Sequence, residues 1–478
     1  MVIFMNDSIW NDVKIKKEKC LDKDISCDIL IIGGGMAGMH TAFYLKDAKY
    51  KTVLIDKDTI GSGITSRTTA KITYLQGSIY SKIEKMYDFE FALKYLRSQM
   101  DACAKIEKII DDYNIDCDYE KSSSYLFEVE DNLNKEIDFL TKANVSFIKN
   151  KKLPIRFPCK NSISTEGAVF HPIKYLNALK NIVLDSGIKI YENTRAVNII
   201  RDDNYYVVRT LKGIIKARKV IICTNYPFFI IPGLMPFKLY LERSYVICGK
   251  GENKKFNAIN VDKDVYSIRY YKDNIIFAGL SESLNNREND KMEKLLQKYK
   301  KYFGYEITKK YQNHDVMTHD YLPIVGKINN NSNLLIVTGF NKWGMTNGVI
   351  SGKVISDIIL EGDNEYINLF DPNRKMTGFK FLNRLVQNFK ISYNYIYTKL
   401  IVPKDKKYYQ DTINGVKCNV YIDKDDKKYI VNRICPHMGC TVKLNEKEKT
   451  WDCQCHGSRF TIDGELINGP SVYDIKIE

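Results

Sequence analysis

The sequence predicts an α/β domain of the Rossmann type followed by a small all-β domain. Three observations carry this. A strand, a G-x-G-x-x-G turn, a helix, a second strand and an acidic residue follow one another within residues 27–56. A further strand, glycine-rich turn and helix run through residues 333–360. Residues 401–478 alternate short strands with turns, around two loops that each pair a Cys with a His.

Length and composition bound the answer. A chain of 478 residues with 44% hydrophobic residues holds two or three domains with sizeable cores. No run of about eighteen apolar residues occurs, so no transmembrane helix is expected. Residues 1–19 carry neither an apolar leader core nor a twin-arginine pair, and a cytoplasmic location is expected. The net charge of +15 raises the question of nucleic acid. Lys is frequent throughout, no long basic block occurs, and residues 401–478 hold 13 Lys and Arg against 12 Asp and Glu. A nucleic-acid partner is therefore not expected.

In order, residues 1–27 form a polar arm with Trp10 as a possible anchor. The apolar run 27–32 suits a buried parallel strand. Gly33 permits the tight turn, Gly35 lets the backbone approach a pyrophosphate, and Gly38 allows close helix–strand packing. A helix over 39–46 and a strand over 52–55 follow. Asp56, 23 residues after Gly33, can accept from ribose hydroxyls. One such unit implies one dinucleotide.

The small, polar stretch 61–71 suits a phosphate or flavin edge, or else a surface loop. Residues 80–145 read as largely helical, with Phe91, Leu93, Leu96, Met100, Ile106 and Ile109 at helical spacing. Residues 236–310 mix short strands with a polar helix around 287–303. Residues 363–400 are a connector, in which Phe379, Leu382, Leu385, Val386 and Phe389 form a stripe opposite Lys380, Arg384 and Lys390. That stripe suits a membrane surface or packing on the chain's own domains. Strands are expected over 416–421, 428–431, 460–462 and 472–477.

Within that last domain, Cys435-x-His437 is separated by fifteen residues from Cys453-x-x-His456. Two thiolates and two imidazoles suit tetrahedral zinc. Their order favours a 2Fe–2S centre in which two Cys hold one iron and two His the other. Gly439 and Gly457 let the loops pass close to it, Ser458 can donate to a sulfur, and Gly469-Pro470 could cover it. The stretch resembles the Rieske family. The resemblance implies Cys435 and Cys453 on one iron and His437 and His456 on the other. It also implies a Cys440–Cys455 disulfide, which a reducing cytosol would oppose, so that pairing stays open. High-potential Rieske proteins carry a Tyr two residues after the Ser. Phe460 stands there, so a potential low in the roughly −150 to +300 mV range is expected.

Residues 28–362 resemble the D-amino-acid oxidase-like FAD-dependent oxidoreductases, which include glycine and sarcosine oxidases. The resemblance rests on the glycine turn, the 61–71 stretch, Thr318 to Gly326 and the 333–360 unit. It implies FAD held by Gly33, Gly35, Gly38 and Asp56, although the family often has Glu at the last position. It further implies a flavin side lined by Ser66, Arg67, Thr68, Thr69 and Ala70, with Lys342, Gly344, Met345 and Thr346 at the ring and Val197 and Thr224 nearby. An antiparallel substrate domain, about 80–165 and 236–310, would be inserted into the FAD domain.

No catalytic residue is fixed by the sequence; Asp315, Arg269 and Lys342 are candidates. Glycine oxidase-like members carry an Arg-Pro where Asp315-Val316 stand here. Asp315 can therefore attract a cationic amine, or simply end a strand. Arg243 and Arg269 suit either anion binding or structural ion pairs. His314 and His319 have the spacing of a mononuclear iron pair. That site needs a carboxylate, and Tyr311 stands at its position.

The expected function is an FAD-dependent oxidoreductase. It dehydrogenates an amine or amino-acid-like small-molecule substrate and relays electrons through a Rieske 2Fe–2S cluster to an unknown redox partner. The alternatives are a cluster-fed flavin reductase acting on an unsaturated substrate, and a non-enzymatic redox sensor or electron-transfer protein.

Overall fold

The computed structural model describes residues 8–13, 15–130, 133–229, 233–284, 290–329, 332–375, 407–446 and 448–477. Its first sheet is built on the strand Ile25–Ile32, whose residues Ile29 to Ile32 are all buried. A strand buried on both faces needs neighbours on both edges. Ile25–Ile32 pairs in parallel with Ile214–Ile222 and with Thr52–Ile55. The order across the sheet is Ile324–Lys327, Leu334–Thr338, Ile214–Ile222, Ile25–Ile32, Thr52–Ile55, Lys189–Tyr191. The hairpin Ala196–Asp202 and Tyr205–Thr210 extends Ile214–Ile222 antiparallel.

The two glycine-rich turns meet at one end of this sheet because their helices stack. In Gly344–Ile359, a Cβ on Gly348 would lie 2.7 Å from Met36 Cβ, and one on Gly352 2.6 Å from His40 Cβ. Only a bare glycine surface lets the helix Met36–Tyr44 come so near.

The second sheet has nine strands. Its long members Leu239–Lys250, Asn274–Ser283 and Ile307–Thr318 pair antiparallel. One pairing, Phe256–Asn260 with Glu120–Glu128, is parallel. The strand Glu120–Glu128 corrects the largely helical reading of residues 80–145. The helices Ile79–Met86, Phe89–Asp112 and Asn134–Lys142 are present, but Glu120–Glu128 lies between the last two. From Lys121 to Leu126, buried Ser122, Ser124 and Leu126 alternate with more exposed residues, a period of two.

The arm is anchored as expected: Trp10 is buried, and its Nε1 donates to Thr68 O at 2.7 Å. In the connector, Ile367–Phe370 is helical, while the Phe379 to Phe389 stripe lies outside the described residues. The C-terminal domain is all-β, with a three-stranded sheet from Tyr408 to Asn432 and a four-stranded sheet from Val442 to Asn468. Trp451, Phe460, Val431 and Val442 fill its core. Residues 472–477 make a single bridge, Val431 with Lys476, rather than a strand. Among the described residues, no helix is long and apolar enough to cross a membrane.

Candidate active site and cluster site

A cleft of about 650 Å³ opens where the carboxyl ends of the parallel strands face the second sheet. Gly33, Gly35, Asp56, Ser66, Arg67, Thr68, Thr224, Lys342, Gly344 and Met345 line it. Gly33 has a φ of +109°, and a Cβ there would sit 2.5 Å from Cys223 O. Asp56 is buried, and burial pushes its carboxyl up to about 6. Its oxygens accept from Gly34 N at 2.6 Å and Asp58 N at 2.8 Å. Each carboxylate oxygen has a further lone pair able to accept from another donor. Arg67 is held down to about 10 by burial and by the neighbouring Arg459.

Other predicted residues fall elsewhere. Gly38 packs under the turn, where a Cβ would lie 1.8 Å from Gly33 O. Thr346 turns away from the cleft to accept from Gln76 Nε2 at 3.1 Å. Ala196 takes the lining position expected of Val197, one residue away, because strand side chains alternate. Thr69 and Ala70 present their carbonyls to Arg269, whose Nη1 donates to both at 2.6 Å. Arg269 also donates to Phe170 O at 2.9 Å and is fully buried. It is a strut behind the 66–70 loop and not among the cleft-lining residues, which corrects its candidacy as a substrate-facing group.

Asp315 and Lys342 do reach the cleft. Burial raises the Asp315 carboxyl, which accepts from the Ser244 hydroxyl and from Asn313 Nδ2 at 3.2 Å. Lys342 Nζ donates to Glu242 and Ser281, each at 2.6 Å. His314 lines the same wall, and neither ring nitrogen has a hydrogen-bond partner among the described residues. Burial first, then the charges of Arg243, Arg459 and Arg67, keep it neutral. His319 stacks on Tyr240 with ring centroids 5.3 Å apart. His319 lies in the turn just beyond the strand Ile307–Thr318 that carries His314 and does not line the cleft with it, so the two are not brought together as an iron pair.

The far wall of the cleft belongs to the C-terminal domain. Thr461, Glu465 to Asn468 and Gly469 to Val472 line it. Gly469-Pro470, expected as a cover for the cluster, lines the cleft. No signal in the sequence announces this, because it depends on how two domains dock. Lys57 Nζ donates to Ile467 O and Arg195 Nη1 to Val472 O, each at 3.3 Å. Gln312 Nε2 donates to Glu448 at 2.6 Å. Arg243 takes the structural role open to it, pairing with Asp452 at 3.2 Å across the interface.

The two cluster loops are built alike. Gly439 N donates to Cys435 O and Gly457 N to Cys453 O, both at 3.0 Å. The neighbouring Cys453 lowers the Cys435 thiol to about 7, toward the thiolate that metal ligation requires, while Cys453 itself is raised by Cys435 and by burial. Ser458 helps to lower the Cys435 thiol, and its hydroxyl accepts from Ser471 N at 2.9 Å. The His437 and His456 rings stand 4.9 Å apart, centroid to centroid. Burial pushes them down to about 4 and about 3, leaving the neutral imidazoles that metal ligation requires. Each ring has a buried nitrogen without a partner among the described residues. The sulfurs of Cys440, Cys453 and Cys455 also crowd within 4.8 Å, but Cys440 and Cys455 are joined in a disulfide and cannot ligate. Two sulfurs and two neutral imidazoles fit a Rieske centre.

Comparison with known proteins assigns both domains. Residues 28–358 match the family described as FAD dependent oxidoreductase. The chain belongs to that family. Residues 395–477 match the Rieske 2Fe-2S domain, so the enzyme is an FAD-dependent oxidoreductase with a C-terminal Rieske domain, and its cofactors are FAD and a 2Fe–2S cluster. The Rieske 2Fe-2S iron-sulfur protein YhfW of Bacillus subtilis is 32% identical over 480 aligned positions, 95% of this chain and 94% of that one. Gamma-glutamylputrescine oxidoreductase of Escherichia coli is 24% identical, over 73% of this chain and 87% of that one. Glycine oxidase from Geobacillus kaustophilus superposes with a TM-score of 0.61 at 14% identity, over 74% of this chain and 100% of that one. At that identity the likeness is one of fold.

Proposed function

We propose that this oxidoreductase dehydrogenates an amine or amino-acid-like substrate and relays the electrons from flavin to cluster to an external acceptor. When bound, FAD supplies a two-electron acceptor that can release electrons singly, and the cluster supplies a one-electron carrier. In this reading Gly33, Gly35 and Asp56 hold the pyrophosphate and ribose. Ser66 to Ala70, braced by Arg269, shape the flavin side, while Lys342, Gly344 and Met345 approach the ring. Cys435 and Cys453 bind one iron, and His437 and His456 the other. The FAD domain is taken as residues 28–362, the connector as 363–400 and the Rieske domain as 401–478, in a cytoplasmic protein.

The observation that carries the reading is the shared wall. The domain bearing the cluster ligands also closes the cleft lined by the dinucleotide turn. The acidic Asp315, at the position where relatives of the glycine oxidase type are expected to carry Arg, favours a cationic amine over a simple carboxylate. The E. coli relative, named for an amine, points the same way.

Anaerobic mixing with a panel of amines and amino acids tests this. A substrate bleaches the flavin absorbance. In His437→Ala the bleaching persists while turnover with any external acceptor stops. Unchanged turnover in that variant would end the relay reading. Reoxidation of a prereduced cluster by an unsaturated compound, without amine bleaching, would reverse the direction of flow.

A further inference from the structure

Tyr226 belongs to the flavin domain, four residues beyond the end of the strand Ile214–Ile222. Its turn is pinned. Thr224 Oγ1 donates to Tyr226 O at 3.0 Å, and Thr338 Oγ1 donates to Asn225 O. The ring reaches across the domain boundary to both imidazoles of the cluster site, with centroids 6.4 Å from His437 and 6.3 Å from His456. Other atoms of Tyr226 line the flavin cleft, but its hydroxyl is closed off from it and has no hydrogen-bond partner among the described residues. A buried hydroxyl left unpaired is destabilising, so this one is placed for a partner. The ring borders a gap that Cys455 and His456 also line, on the loop that carries Cys453. The gap beside the ring, about 10 Å³, is at the lower limit for one water.

We propose that the Tyr226 hydroxyl donates to a sulfur of the cluster site, so that a residue of the flavin domain tunes the cluster's reduction potential from outside the cluster domain. Adding one electron adds one negative charge beside that sulfur. A donor aimed at it stabilises the reduced state more than the oxidised one. Phe460, which is buried in the cluster domain and has no hydroxyl, leaves this role unfilled from within. Docking then does two things at once: it closes the cleft and raises the potential of the carrier. The assignment rests on the ligand set proposed above.

Redox titration of the full-length holoprotein, followed by the EPR signal of the reduced cluster, tests it. Tyr226→Phe keeps the ring against both imidazoles and removes only the oxygen. Its one-electron equilibrium should move about tenfold toward the oxidised form, about 59 mV, with iron content retained. A potential equal to or above that of the wild type overturns the proposal. Should Tyr226→Phe fail to hold a cluster, 3-fluorotyrosine at position 226 decides. This stronger donor keeps the ring and hydroxyl and should shift the equilibrium toward the reduced form; no shift overturns the proposal. A wrong ligand set would show differently, as a wild-type EPR signal surviving in His437→Ala.

Discussion

Asp320 is buried yet stays a carboxylate. Burial alone would raise it, but Arg374 meets both oxygens, at 2.7 and 2.9 Å, and the balance holds it below the usual range. Asp320→Asn leaves the buried Arg374 charge uncompensated, and a loss of about 3–5 kcal/mol in denaturant unfolding at pH 7 is expected. A depressed carboxyl stabilises above its unfolded value, about 4, and that stability is lost as pH falls through the folded value. The gap between wild type and Asp320→Asn should therefore narrow below about pH 4. Residues fixed by backbone geometry, such as Gly33, Asp56 and the Cys–His pairs, were readable from spacing. Arg269 and Tyr226 were not. The first is spent on carbonyls 99 to 200 residues away, and the second faces a histidine of another domain.

Elements show the same divide. The parallel core strands and the two glycine turns were legible because their apolar runs and glycines are local signals. The strand Glu120–Glu128 was not, because its pairing with Asn161–Val169 and Phe256–Asn260 is long-range. The cluster loop is likewise set by what it docks on. Gly457 has a φ of +74°, and a Cβ there would lie 2.5 Å from Leu284 Cδ1 and 2.7 Å from Leu241 Cδ1, both in the flavin domain. Gly457→Ala carries a left-handed backbone cost of about 1–2 kcal/mol. The contact with two leucines adds to it. The variant should melt earlier and release flavin faster than the wild type on dilution. Release at the wild-type rate would mean that docking does not close the cleft.

Across the whole molecule, the two domains are held by Arg243–Asp452, Gln312–Glu448, Lys57–Ile467 and Arg195–Val472. Arg459 supports this seam from beneath, donating to Asp452 at 2.8 Å. Such a seam fixes the cluster site beside the cleft, so the proposed relay would need no second molecule. Domain content was legible in the sequence; the shared wall was not, because neither domain's pattern records its partner. The most direct measurement is anaerobic photoreduction of the flavin in the full-length protein, with the cluster followed by EPR over a tenfold range of protein concentration. The account predicts cluster reduction at a rate independent of concentration. A rate proportional to concentration, or a cluster that stays oxidised while the flavin is reduced, would contradict it.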